Sequence, residues 1–286
     1  VSAPKDPRPP APEPLPHPVV DNHCHLDMTL DGCGEWSPET ALAAAAEVGV
    51  TRIVQIGCDL QGARWAVDVA DRVPGIVAGV ALHPNEAPRL AEQGWLDRAW
   101  GEIEQLAEHP RVRAVGETGL DHFRTGEEGR AAQEDSFRRH VDLAKRLDRT
   151  LVIHDRDAHA EVLRVVDSEG PPDRVVMHCF SGDAAFAREC LDRGFWLSFA
   201  GTVTFKNAVG VREAMQAAPR DRVLVETDAP FLTPTPHRGR PNASYLVPLT
   251  MRFMAEHRGE DLAELCARVE ANTFAAFGGE WEPAGP

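Results

Sequence analysis

Short runs of branched apolar residues alternate along this chain with longer stretches whose apolar positions recur at helical spacing. The runs occupy 19–25 (VVDNHCH), 51–57 (TRIVQIG), 75–83 (GIVAGVALH), 111–120 (RVRAVGETGL), 150–154 (TLVIH), 174–178 (RVVMH), 195–199 (FWLSF) and 222–228 (RVLVETD), and each reads as a strand. Several are continuously apolar, the mark of strands buried on both faces, as in a parallel sheet covered by helices. Between them the spacing predicts helices over 37–48, 60–73, 90–109, 133–148, 158–168, 184–193 and 207–217, with two more at 245–257 and 261–277. Punctuation agrees. Ser37-Pro38 reads as an N-cap followed by Pro at the first helical position, and Gly49 and Gly194 read as stops. Eight such repeats favour an α/β fold of the (β/α)8 TIM-barrel type over an open doubly wound sheet. The open sheet stays possible, but no G-x-G-x-x-G follows the first strand to give it a nucleotide site.

At 286 residues the chain suits one barrel domain. The expected division is a Pro-rich disordered tail over 1–18, the barrel over 19–278 and a loose C-terminus over 279–286. The tail carries no apolar stretch of the kind a signal peptide needs, and no run is long enough to span a membrane. Six cysteines without a C-x-x-C pair read as reduced thiols of a cytoplasmic protein. The formal charge of −15 predicts solubility and no general attraction to DNA or anionic lipid, so nucleic-acid contact would rest on local Arg clusters and bound metal. The chain is expected to act as a monomer.

Candidate chemistry lies where the apolar runs end, because barrel active sites form at the C-terminal ends of the strands. The first run ends in His23 and His25, which share one face of a strand by period two. His83 ends the third, Glu117 lies in the fourth, and His154, His178 and Asp228 end the fifth, sixth and eighth. Taken singly, each has an ordinary structural role: a turn residue for His83, a loop acid for Glu117, satisfied core histidines for His154 and His178, a turn cap for Asp228. Coincidence at so many strand ends is far less probable than a shared site. Without His83, four His, one Glu and one Asp suffice for two metal ions sharing one carboxylate. The mixed nitrogen and oxygen donors leave Mg²⁺, Mn²⁺ and Zn²⁺ open.

These segments resemble the TatD family of metal-dependent hydrolases within the amidohydrolase-like barrels. The matching motifs are Asp21-Asn22-His23-Cys24-His25-Leu26, Ala81-Leu82-His83-Pro84, Gly116-Glu117-Thr118-Gly119-Leu120-Asp121, Ile153-His154-Asp155-Arg156, Met177-His178-Cys179-Phe180-Ser181-Gly182 and Glu226-Thr227-Asp228-Ala229-Pro230-Phe231-Leu232, then the loop Arg238-Gly239-Arg240-Pro241-Asn242. The resemblance covers about 19–278 and keeps the family's order. It implies that His23, His25 and Asp228 hold one metal, that His154 and His178 hold a second, and that Glu117 bridges both. From charge, Asp228 is expected to orient a water and take its proton, His83 and Arg156 to contact a phosphate, and Lys206, Arg238 and Arg240 to line the approach, surface solvation being the alternative for the Arg residues. The activity the resemblance implies is a deoxyribonuclease, a 3′→5′ exonuclease acting on single-stranded DNA. The chain departs from the family pattern at His122-Phe123, where a Tyr or second aromatic is common, and at Ala243-Ser244 after Asn242, positions expected to touch substrate.

Two other classes stand beside this one. The same metals can serve a hydrolase of a small ester, amide or phosphoester, which the negative charge favours. A non-catalytic scaffold keeping a structural metal is the other, and the full ligand set argues against it.

Overall fold

The computed structural model describes residues 8–30, 34 and 36–285. Positions 1–7 of the Pro-rich stretch and Cys33 lie outside the described residues. Eight parallel strands pair in chain order: β1 (Val19–Cys24), β2 (Val50–Gly57), β3 (Ile76–Val80), β4 (Val112–Asp121), β5 (Thr150–Arg156), β6 (Val175–Met177), β7 (Trp196–Phe199) and β8 (Val223–Val225). The ring closes just beyond β8, where the Asp228 amide donates to the His23 carbonyl (2.9 Å) and the His25 amide to the Ala229 carbonyl (2.8 Å). Around it run α1 (Pro38–Ala46), α2 (Leu60–Arg72), α3 (Glu86–Glu92), α4 (Leu96–Ala107), α5 (Glu127–Arg146), α6 (His159–Glu169), α7 (Ala184–Asp192), α8 (Val209–Ala217), α9 (Val247–Arg258) and α10 (Leu262–Ala276). The fold is the expected (β/α)8 TIM barrel. No helix among the described residues is long and apolar enough to cross a membrane.

Two apolar layers follow from the period-two alternation of the strands. Val20, Val54, Ile56, Val77, Ala114, Val152, Val176, Trp196 and Leu224 fill the barrel interior, and Phe277 and Trp281 join them. Val19, Ile53, Ile76, Val115, Leu151, Ile153, Val175, Leu197 and Val223 face the helices. The inward phase continues to the C-terminal end of the barrel, so His154 lies two residues beyond Val152, His178 two beyond Val176, and Glu226 two beyond Leu224. β1 and β4 depart from this rule. Their pairing slips between Asp21 and Cys24 and between Val115 and Thr118, so His23 and Glu117 come three residues after interior Val20 and Ala114.

Several boundaries differ from expectation. The stretch 90–109 is broken into α3 and α4, because Gly94 takes φ +71° between them, a left-handed turn that glycine adopts without strain. α5 starts at Glu127, ahead of Gln133, and buried Gln133 accepts the Asp121 amide (3.1 Å) from inside the helix. Residues 8–18, expected as a disordered tail, run along the barrel. Proline-rich backbone keeps its carbonyl acceptors, and the barrel supplies donors: the Tyr245 hydroxyl to Pro9 (2.5 Å), Arg252 to Pro14 (3.0 Å) and Arg240 to Arg8 (2.5 Å). Leu15 is buried, and its amide donates to Val48 (3.0 Å). The C-terminal residues expected to be loose are tied as well. Trp281 is buried with its indole donating to Gly75 (3.2 Å), and the Ala284 amide donates to Thr51 (2.9 Å).

Candidate metal centre

Five imidazoles surround one buried carboxylate, that of Glu117. Its Oε1 lies 3.5 Å from His25 Nε2 and 3.7 Å from His23 Nε2, while Oε2 lies 3.0 Å from His154 Nδ1, 3.2 Å from His178 Nε2 and 3.9 Å from His83 Nε2. Asp228 Oδ1 stands on the Oε1 side, 3.2 Å from His25 Nε2 and 3.9 Å from His23 Nε2. The two oxygens of Glu117 therefore serve two different groups of donors. The strands explain the convergence: the side chains come from the C-terminal ends of β1, β4, β5 and β6 and the turns after β3 and β8.

Polar groups stand behind the rings. His25 Nδ1 lies 3.0 Å from the Ile56 carbonyl, which leaves Nε2 facing the carboxylates. His178 Nδ1 lies 2.8 Å from Glu226 Oε1, and that same oxygen accepts the Cys179 amide (2.9 Å). His154 Nε2 lies 3.4 Å from Asp121 Oδ2. Asp121 also closes the turn after β4, accepting the Phe123 and Arg124 amides (3.1 and 2.8 Å), so it both faces a ring and shapes a loop. His83 Nδ1 accepts the Asn85 amide (3.1 Å), pointing Nε2 inward.

The electrostatics are those of buried opposite charges. Burial would raise the Glu117 carboxyl, but the facing His178 and His83 outweigh it and hold the group well below the usual range. Burial likewise opposes ionisation of Asp228, yet His25 and His178 keep its pKa low. Burial pulls His25 and His154 down, but the carboxylates beside them prevail and raise both to about 9. His83 goes the other way, to about 4, because burial dominates. His23 is lowered by burial and by its neighbour His178, whose ring stacks on it at 3.6 Å.

Both ring nitrogens of His23 are fully buried without a hydrogen-bond partner. A buried nitrogen left so is costly unless something else occupies its lone pair. The donor chemistry fits a divalent cation: the groups His23–His25–Glu117, His83–Glu117–His154 and His23–His178–Glu226 each bring three ligand atoms within 4.8 Å of one another.

All the sequence-predicted candidates lie at this end of the barrel, in two tiers. His23, His25, His83, Glu117, His154, His178 and Asp228 form the cluster. Arg156, at the end of β5, lays its guanidinium 3.9 Å above the Phe123 ring. Lys206 is exposed in the turn after β7, and Arg238 covers Phe205 at 4.3 Å. Arg240 reaches Arg8 of the N-terminal segment. Two residues of the cluster were not anticipated. Glu226 backs His178, and its signal was its phase, two residues after Leu224. Cys58, in phase with Ile56, places its thiol 3.2 Å from Glu117 Oε1 as a donor.

The family model described as TatD related DNase matches residues 20–278. The chain belongs to the TatD family. It is 43% identical over 270 residues to the uncharacterized metal-dependent hydrolase TatD of Mycobacterium tuberculosis, covering 92% of this chain and 99% of that protein. It is 33% identical over 243 residues to a protein of Cronobacter sakazakii named 3′-5′ ssDNA/RNA exonuclease TatD, covering 82% and 90% respectively. Among solved structures, the TatD homolog YjjV of Escherichia coli K12 superposes with a TM-score of 0.82 at 26% identity, covering 92% of this chain and 98% of that one. Membership of the TatD family makes the chain one of a family of metal-dependent hydrolases.

Proposed function

We propose that this TatD-family hydrolase is a dinuclear metal phosphodiesterase that removes nucleotides from the 3′ end of single-stranded DNA. The observation that carries it is the division of Glu117, one oxygen toward His23, His25 and Asp228, the other toward His154 and His178. Those two sets would hold two ions of Mg²⁺, Mn²⁺ or Zn²⁺, with Glu117 common to both. Bound there, such ions supply Lewis acidity, making water a better nucleophile and drawing charge from a phosphoryl group.

The remaining work falls to side chains. Asp228 is the most open carboxylate of the cluster, its side chain 15% exposed against 5% for Glu117 and 0% for Glu226. Held ionised by His25, it is the group placed to accept the proton of an attacking water. Glu226 and Asp121 keep the His178 and His154 rings turned toward the site. His83 and Arg156 bind the phosphate, and Lys206, Arg238 and Arg240 guide the strand. A cluster buried at the end of the barrel admits a chain end more readily than the middle of a duplex, which supports exonuclease action. The relative named as an exonuclease supports the same substrate class.

The net charge of −15 favours one alternative, a hydrolase of a small ester, amide or phosphoester at the same metals. One experiment separates the two. Metal-stripped protein is given a 5′-labelled single-stranded oligonucleotide with Mg²⁺, Mn²⁺ or Zn²⁺ restored separately, alongside Asp228→Asn. The expected result is a ladder shortening from the 3′ end with the restored metal, at least about 100-fold weaker in the variant. Intact oligonucleotide under every condition, with two ions bound per chain, overturns the nuclease reading in favour of the small substrate.

A further inference from the structure

The large apolar side chains left exposed on this chain are not scattered. Among the described residues they are Met28, Trp95, Phe123, Val209 and Phe231. Met28, Phe123 and Phe231 follow the C-terminal ends of β1, β4 and β8, at the barrel mouth. Each sits on a turn tied back to a residue of the site. The Met28 amide donates to the His25 carbonyl (3.1 Å), and the Phe231 amide to the Asp228 carbonyl (2.9 Å). The Phe123 amide donates to the Asp121 carboxylate (3.1 Å). Asn242 also donates to the Phe231 carbonyl (2.6 Å), so that loop is fastened twice. These bonds fix the backbone that carries the three exposed side chains.

β4 and β8 stand four strands apart in a ring of eight, so the turns that carry Phe123 and Phe231 lie on opposite sides of the mouth with the His–carboxylate cluster between them. One face of Phe123 is covered by the Arg156 guanidinium at 3.9 Å, yet the residue is 63% exposed, which leaves the other face open. Phe231 is 42% exposed, its ring centre 6.4 Å from that of His25. Flat rings with an open face, one of them backed by a guanidinium, are what single-stranded nucleic acid stacks on.

We propose that Phe123 and Phe231 are two stacking platforms for the nucleobases on either side of the scissile phosphate, one base to each ring. The proposal rests on the nuclease reading and sharpens it. Recognition is by ring stacking, indifferent to base identity but dependent on a base being present at both flanking positions. Arg156 has two roles here: its plane stiffens Phe123, and its charge lies beside the backbone of the bound strand.

The test uses the metal-loaded protein and oligothymidylates in which a tetrahydrofuran abasic unit replaces the nucleoside on one or the other side of the 3′-terminal linkage. Wild type is compared with Phe123→Ala, Phe123→Leu, Phe123→Trp and the same three changes at Phe231. Each missing base is expected to lower kcat/KM for wild type by roughly 5- to 100-fold. Each Ala variant should lose a similar factor on the intact oligonucleotide and lose the abasic penalty at one flanking position only. Leu should behave as Ala, and Trp as wild type. An abasic penalty that is missing in wild type, or unchanged in both Ala variants, overturns the platforms while leaving the nuclease. Full rescue by Leu overturns stacking in favour of general apolar contact. If wild type leaves the intact oligonucleotide uncut, the nuclease reading itself falls, and the platforms with it.

Discussion

Glu226 is a carboxylate whose place in the chain conceals its contacts. It is fully buried, one residue past β8, with Oε1 accepting the Cys179 amide and lying 2.8 Å from His178 Nδ1. A carboxylate behind an imidazole turns the ring and makes its other nitrogen a better donor. Glu226→Gln is therefore expected to weaken metal binding or activity by about 10- to 100-fold with the fold intact. Chelator competition and turnover measure this, and unchanged affinity for both ions with unchanged activity would show that Glu226 does not tune His178. The same residue shows what was legible at this scale. His154 and His178 could be read because they end apolar strands in the inward phase. Glu226 shares that phase, but Asp228 two residues on offers a second carboxylate at the same strand end, and it lies beyond the strand at φ +56°. For His23 and Glu117 phase is no guide, because pairing slips in β1 and β4 just before them, and a slip of register leaves no mark in residue type.

At the scale of elements, β4 bears the tightest constraint. A Cβ at Gly116 would lie 2.5 Å from the Val152 side chain and 2.7 Å from the Val152 carbonyl. β5 cannot retreat, being paired with β4 on one side and β6 on the other. Gly116→Ala must therefore displace β4 from β5 at this point and carry Glu117, the next residue, with it. The expected outcome is a loss of about 1–3 kcal/mol in stability and of at least one bound ion. Metal content by mass spectrometry together with denaturant unfolding checks both, and a fully loaded variant of wild-type stability would refute the argument. The order of strands and helices was legible because apolar period and Gly/Pro punctuation are local signals. The packing of 8–18 was not. Composition marks those residues as unable to form a core of their own, but it does not register Tyr245, Arg240 and Arg252, distant in sequence, that donate to their carbonyls.

For the molecule as a whole, one residue of the shell sets a pH dependence of stability. His140 on α5 is buried between sheet and helices. Its Nε2 accepts the Leu82 amide (3.1 Å), its Nδ1 donates to the Ser136 carbonyl (2.7 Å), and the Trp100 ring of α4 meets it edge-on at 4.8 Å. Both nitrogens are satisfied only in the neutral form. Burial lowers the pKa to about 4, with Ser136 opposing and the neighbouring Arg139 adding to the shift. In the unfolded chain the ring titrates near 6.5. Between those values the unfolded state binds the proton that the folded state refuses. Stability is then complete above about pH 6.5 and declines as pH falls toward 4, by about 3 kcal/mol in all. Other groups titrate in the same range, so the informative quantity is a difference. Wild type and His140→Gln are unfolded with urea at pH 7.5, 6 and 5. Gln cannot take up a proton, so the stability difference between the two should shift in favour of the variant by about 2 kcal/mol between pH 7.5 and 5. A difference independent of pH would mean that His140 accepts a proton in the folded state. The proton on Nε2 would then face the Leu82 amide, and the end of β3, with His83 beside it, would have to move.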